Sequence, residues 1–160
     1  LEKGGGHKMA AGLTVAEPKI EAAMERLGEM LAKQGAADIG PRDLNVDGIL
    51  MPGAATIELI ERLEQAGPFG AGAPAPRFAF PDVAIGFRKR VGESHLKLSF
   101  GDGMGAKIDA ICFGAFDGPL GPALEDHGGA RFHLAGRLEI NHWQGRQTVQ
   151  LRLEDAARAD

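Results

Sequence analysis

Cysteine occurs once in this chain of 160 residues, tryptophan once and tyrosine never. One thiol, Cys112, excludes an intrachain disulfide and a thiolate-rich zinc centre. It lies between Ile111 and Phe113, where a small buried strand residue is expected. The lack of disulfides fits a reducing compartment, and the expected location is cytoplasmic. No apolar run approaches the ~20 residues that span a bilayer, and no signal-peptide pattern is present, so no membrane partner is expected. The histidines are scattered, without His-x-x-x-His or Asp-x-Asp company. Glu125-Asp126-His127 runs straight into Gly128-Gly129 and reads as a helix end rather than a metal site. There is no Gly-Lys-Ser/Thr phosphate loop and no nucleophile elbow. Hydrolysis of a phosphoester needs a metal or a comparable electrophile, and these residues supply none. The chain reads as a binding part rather than a catalytic one.

Glycine, by contrast, is abundant, and it is concentrated where chemistry is plausible. Gly4-Gly5-Gly6-His7 precedes the small residues of Lys8-Met9-Ala10-Ala11-Gly12. A helix starting there would aim free N–H groups and its positive dipole end into the glycine loop, a ready phosphate site with His7 at its mouth. The other reading is a flexible glycine turn with His7 in solvent. The first residue is Leu1 rather than Met, which sets the expectation of a piece cut from a longer protein.

The Gly/Pro/Ala stretch from Gly67 to Pro76 divides the chain, because it suits neither a helix nor a central strand. Before it, Leu13-Thr14-Val15 predicts a short strand. Pro18 starts a helix whose stripe is Ile20, Met24, Leu27 and Leu31, ended by Gly35. Residues 44–50 alternate as a strand, and Ile57, Ile60 and Leu63 mark a second helix. After the divide, alternation predicts strands around 83–87, 96–100, 107–113, 132–140 and 149–153, with a short helix at 119–126. Gly101-Asp102-Gly103-Met104-Gly105 and Asn141-His142-Trp143-Gln144-Gly145 turn the chain. Three strands, a helix and two strands is the order of an OB-fold barrel, a fold that commonly binds single strands; an SH3-like barrel lacks the inserted helix.

Formal net charge is -4, which does not announce a nucleic-acid binder. Distribution says more. Arg88, Lys89, Arg90 and Lys97 face only Glu93 in their stretch, and Arg131, Arg137, Arg146 and Arg152 face only Glu139. Two such stripes on neighbouring strands would make one basic face. Scarce aromatics and modest charge also allow a non-enzymatic module that docks a partner such as a single-strand-binding protein.

Four strings together resemble the C-terminal portion of RecJ-type single-strand-specific DNA exonucleases, of the DHH phosphoesterase superfamily. They are Gly4 to Gly12, Pro68 to Phe78, Asp109 to Gly114, and Asn141 to Gly145 running into Val149 to Asp155. The family usually has Asn where Ala73 stands. The resemblance implies an α+β chain: residues 1–66 form the end of a DHH-associated domain with a connecting helix, 67–80 a linker, and 81–160 a five-stranded OB-fold-like barrel. It implies a 5′-to-3′ exonuclease on single-stranded DNA, dependent on Mn or Mg and active in repair and recombination. The family's metal ligands lie in an upstream domain, so this chain alone is expected to hold no metal and to be inactive. Gly4, Gly5, Gly6 and His7 would hold a phosphate, with His7 in a supporting catalytic role. Arg88, Lys97, Arg137, Arg146 and Arg152 would meet phosphates, and Trp143 would stack on a base.

Overall fold

The computed structural model describes residues 3–7, 10–33 and 43–159. Two compact units are present, Leu1–Asp43 and Leu44–Asp160.

In the first unit, β1 (Lys3–His7) and β2 (Ala10–Thr14) pair antiparallel, with Gly5 opposite Gly12 and His7 opposite Ala10. The expected glycine loop opening into a helix is therefore corrected: Gly4, Gly5 and Gly6 are strand residues. No Ser, Thr, Asp or Asn stands between residues 4 and 12 to cap the first amides of a helix, whereas a ladder gives the facing amides of both strands a partner. The helix starts where proline allows it. Pro18 lies in a 3-10 turn, Glu17–Lys19, that leads into α1 (Ile20–Lys33). Ile20 and Met24 of the anticipated stripe are exposed and Leu27 is half-buried. The side chain of Leu31 and the helix stop at Gly35 lie outside the described residues.

The second unit is a closed barrel of the OB type. Its strands are β4 (Phe78–Val91), β5 (His95–Gly101), β6 (Lys107–Cys112), β7 (Arg131–Trp143) and β8 (Arg146–Arg158). A two-residue strand, β3 (Gly48–Ile49), lies parallel to the start of β4. The order is β4-β5-β6-β8-β7, and β7 returns to β4. All these pairings are antiparallel except β6 with β8. One long strand, β4, serves two neighbours because bulges between Phe80 and Val83 and between Ile85 and Arg88 bend it around the corner. The β7–β8 hairpin is longer than alternation alone suggests. Only Gln144 and Gly145 are outside the strands, both with positive φ (48° and 76°), as a tight hairpin turn requires.

Period-two alternation sorts the side chains. Leu96, Leu98 and Phe100, Ile108, Ala110 and Cys112, and Leu151 and Leu153 face inward with Phe80, Val83 and Leu134. Phe80 and Phe100 meet edge to face at 5.2 Å. α3 (Leu120–Glu125) plugs one end with Leu124, which is fully buried; burying one such leucine contributes about 2 kcal/mol. Residues 44–66 belong to this compact unit. Ala55 joins the core, β3 docks on β4, and α2 (Ile57–Gln65), capped by Thr56 Oγ1 accepting from the Leu59 amide at 3.2 Å, buries Ile60. The Gly/Pro stretch ends on Arg77, whose backbone and side chain are both bonded, so β4 begins at Phe78.

Candidate nucleic-acid interface

The inward residues fix which ones point out. Between Leu96 and Leu98 lies Lys97, between Ala110 and Cys112 lies Ile111, and between Leu151 and Leu153 lies Arg152. The register then aligns them. Lys89 of β4 stands opposite Lys97 of β5, Lys97 opposite Ile111 of β6, Ile111 opposite Arg152 of β8, and Arg152 opposite Arg137 of β7. One row of four cations and an isoleucine thus crosses the barrel wall at right angles to the strands. Lys89 to Arg152 covers about 14 Å at the ~4.8 Å spacing of strands. Register thus aligns only part of each basic stripe, Lys89 and Lys97 from the first and Arg137 and Arg152 from the second, with Ile111 of β6 between them.

Each cation in the row is held differently. Lys97 Nζ lies 3.7 Å from Asp109 Oδ2, an exposed and weak pair. Lys89 has no carboxylate within salt-bridge distance among the described residues. Two lysines directly opposite each other repel, so folding gains nothing from this arrangement. The Arg152 guanidinium lies 5.3 Å from the Phe113 ring centroid. Arg137 is engaged within the protein: Nε donates to the Ala75 carbonyl at 2.9 Å and Nη1 to Glu154. The other oxygen of Glu154 accepts from Arg77 Nε at 2.6 Å, and Arg77 Nη1 donates to the Asn45 carbonyl at 2.7 Å. Glu154 therefore ties the Gly/Pro stretch and residues 45–47 to the barrel.

Arg88 falls out of the row. The bulge after Ile85 makes Gly86 and Phe87 together oppose Ser99, so Arg88 pairs with Leu98 and takes the inward phase at the barrel end. There Arg90 lies 3.6 Å above the Phe116 ring and bonds Glu125 at 3.0 Å. The same end holds His127, whose pKa is lowered by burial and, secondarily, by the charge of Arg88. Its Nδ1 accepts from the Gly129 amide at 3.0 Å. Arg146 and Trp143 are cross-strand partners at the hairpin tip. They share the outward phase of Arg152 and Arg137 and extend the face by about 20 Å along the hairpin. Trp143 is 70% exposed.

Phe87 and Phe113 are exposed residues that sequence reading does not single out, and Lys89, which it names only within a basic stripe, joins the row. Phe113 is within reach of such reading: an aromatic next to an inward Cys112 must point outward. The place of Lys89 in the row is not, since only the bulge gives it the outward phase. The Cys112 thiol is pushed up by burial and by Asp155, as an inert core thiol is. Among the described residues no three His, Cys, Asp or Glu side chains converge on a point that would hold a metal ion, and no helix is long and apolar enough to cross a membrane. The His7 side chain lies outside what is described.

Comparison with known proteins agrees with the barrel fold. Residues 46–155 match the model of the RecJ OB domain family. The single-stranded-DNA-specific exonuclease RecJ of Escherichia coli (strain K12) is 33% identical over 154 residues, covering 96% of this chain and 26% of that protein. The Bacillus subtilis (strain 168) protein of the same name is 26% identical over 155 residues, covering 96% of this chain and 19% of its own length. The crystal structure of RecJ in complex with Mn2+ from Thermus thermophilus superimposes with a TM-score of 0.63 at 25% identity, over 100% of this chain and 22% of that one. The chain spans about a quarter of the length of its first curated relatives. With the family model covering the barrel and its preceding helix, the chain belongs to the RecJ OB domain family.

Proposed function

We propose that this chain is the DNA-binding C-terminal portion of a 5′-to-3′ single-stranded-DNA exonuclease that acts in repair and recombination. The observation that carries this reading is the row Lys89–Lys97–Arg152. Its like charges oppose folding stability and line a stretch of barrel wall that a phosphate backbone could cross. Such a grip is sequence-tolerant and salt-dependent. Lys97 and Arg152 are the principal phosphate contacts, joined by Lys89. Arg146 and Trp143 prolong the track along the hairpin. Arg137 supports it from within, and Arg88 contributes only through the barrel-end charge.

Relatives in this family have been crystallised with Mn2+ and with Mg2+. The described residues of this chain do not fit either ion, since no donor set converges. Its part is binding: to hold the strand and present it to metals supplied by the rest of the enzyme. In the same reading Gly4, Gly5 and Gly6 offer a side-chain-free strand to a phosphate, and His7 has a supporting role near the scissile bond. The chain alone with Mn or Mg is expected to leave single-stranded DNA intact.

The test is fluorescence anisotropy of a labelled oligonucleotide titrated with this chain at several salt concentrations. A logarithmic affinity that falls linearly with the logarithm of salt, by about 0.7 per phosphate contact, supports the reading. An affinity that stays flat as salt rises counts against it.

A further inference from the structure

Pairing of β6 with β8 stops at Ile111 and Arg152. Beyond that point β6 turns away at Gly114 (φ +64°) while β8 runs on, and the wall opens. The opening is a cleft of about 510 Å3 lined by Phe113, Gly114, Leu120, Arg137, Arg152 and Glu154. It adjoins the cationic row, because Arg152 borders both.

Phe113 forms one wall and is 53% exposed, yet it is braced. The His95 ring meets it edge to face at 5.2 Å. His95 is itself fixed: its Nδ1 accepts from the Gly114 amide at 3.1 Å and lies 3.3 Å from Ser94 Oγ. After Phe113 the backbone turns tightly, with the Asp117 amide donating to the Gly114 carbonyl at 3.0 Å. The result is a rigid aromatic surface with a guanidinium beside it, open to solvent at the edge of a groove. Exposing a phenyl ring costs the chain the burial it would gain inside. Holding it still costs further side-chain entropy. Both make sense if a flat, weakly polar group covers the ring for part of its working life.

We propose that this seam cleft receives one nucleobase of the bound strand, turned out of line and stacked on Phe113, while Arg152 holds the adjoining phosphate. The proposal rests on the reading of the row as a DNA track and adds to it a single base site. The chemistry is that of an aromatic platform with a cation at its rim, which accepts any base because every base has a π-face. Glu154 is already satisfied by two arginines, so it presents no free negative charge to repel the strand. Its engagement also fixes Arg137 in the cleft wall. The site therefore exists before DNA arrives.

An abasic scan tests this. A series of oligonucleotides, each lacking the base at one position, is titrated against the full chain and against Phe113→Ala and Phe113→Trp at fixed salt. The wild-type chain should lose affinity about 5- to 100-fold when one particular base is missing, and much less at its neighbours. Phe113→Ala should bind the intact oligonucleotide weakly by a similar factor, keep the wild-type salt slope, and show no dependence on the missing base. Phe113→Trp should restore both affinity and position dependence. A wild-type chain that binds with a normal salt slope but shows a flat abasic scan, and a Phe113→Ala variant equal to wild type, would overturn the base site while leaving the row intact. A wild-type chain that binds no single-stranded DNA would overturn both.

Discussion

Arg137 and Arg152 face each other across the β7–β8 pair, yet they serve different ends. Arg137 belongs to a brace: two guanidiniums share Glu154 and tie the Gly/Pro stretch to the barrel wall. Arg152 belongs to an open row with Lys97 and Lys89, where charge is poorly balanced and solvent-facing. Residue type does not separate them. What does is whether a carboxylate and a carbonyl are already within reach. A cation with internal partners holds the fold, and a cation set among its own kind is available to a ligand.

The brace should be the costlier region to damage. Gly136 lies where β7 comes against the backbone of Arg152, and a Cβ there would collide with the Arg152 carbonyl. Gly136→Ala should lose roughly 3 kcal/mol of unfolding free energy in a urea titration. A variant as stable as wild type would show that the two strands have slack at the brace. Glu154→Ala leaves two half-buried guanidiniums without their acceptor and should cost about 1–3 kcal/mol. Glu154→Gln should cost less and leave Arg137 with donors to spare beside the row, steepening the salt dependence of DNA binding. An unchanged slope would mean that Arg137 cannot be recruited.

The row should behave in the opposite way. Arg152→Ala breaks no ion pair among the described residues, so its stability should stay within about 0.5 kcal/mol of wild type. Its DNA affinity should fall severalfold, with a salt slope shallower by about 0.7. Loss of stability without loss of affinity would place Arg152 with the brace.

The smallest expected effect lies at the barrel end that Arg88 and His127 share. Burial holds His127 below the ordinary histidine value of 6.5, favouring its neutral form in the fold. Its contribution is therefore complete above that value and is lost as pH falls through the lower folded pKa. Thermal unfolding should show a slight loss of stability between neutral and mildly acidic pH that His127→Asn removes. DNA affinity of the folded variant at neutral pH should be unchanged, since this end is outside the row.

Much of the barrel is legible in the sequence because alternation is a direct imprint of a wall with one wet face. Leu96, Leu98 and Phe100 announce their strand, as do Phe132 and Leu134, and Pro119 to Asp126 stands apart from them as a helix. The glycine string misleads because glycine suits a loop and a strand equally; partnership with residues 10–14 decides between them. The basic face is half legible. Composition shows that cations cluster, but which of them share a row depends on register, and register depends on bulges. A single extra residue after Ile85 takes Arg88 out of the row and brings Lys89 into it. The brace is invisible for a related reason. Arg77, Arg137 and Glu154 are distant in sequence and meet only when β8 closes the barrel.

The most direct measurement is the salt dependence of single-stranded DNA binding by the triple variant Lys89→Ala, Lys97→Ala, Arg152→Ala beside the wild-type chain. Both should unfold at similar denaturant concentrations, with the triple variant binding far more weakly and with a slope shallower by about 2. Equal affinities and equal slopes would contradict the assignment of this row to the DNA backbone.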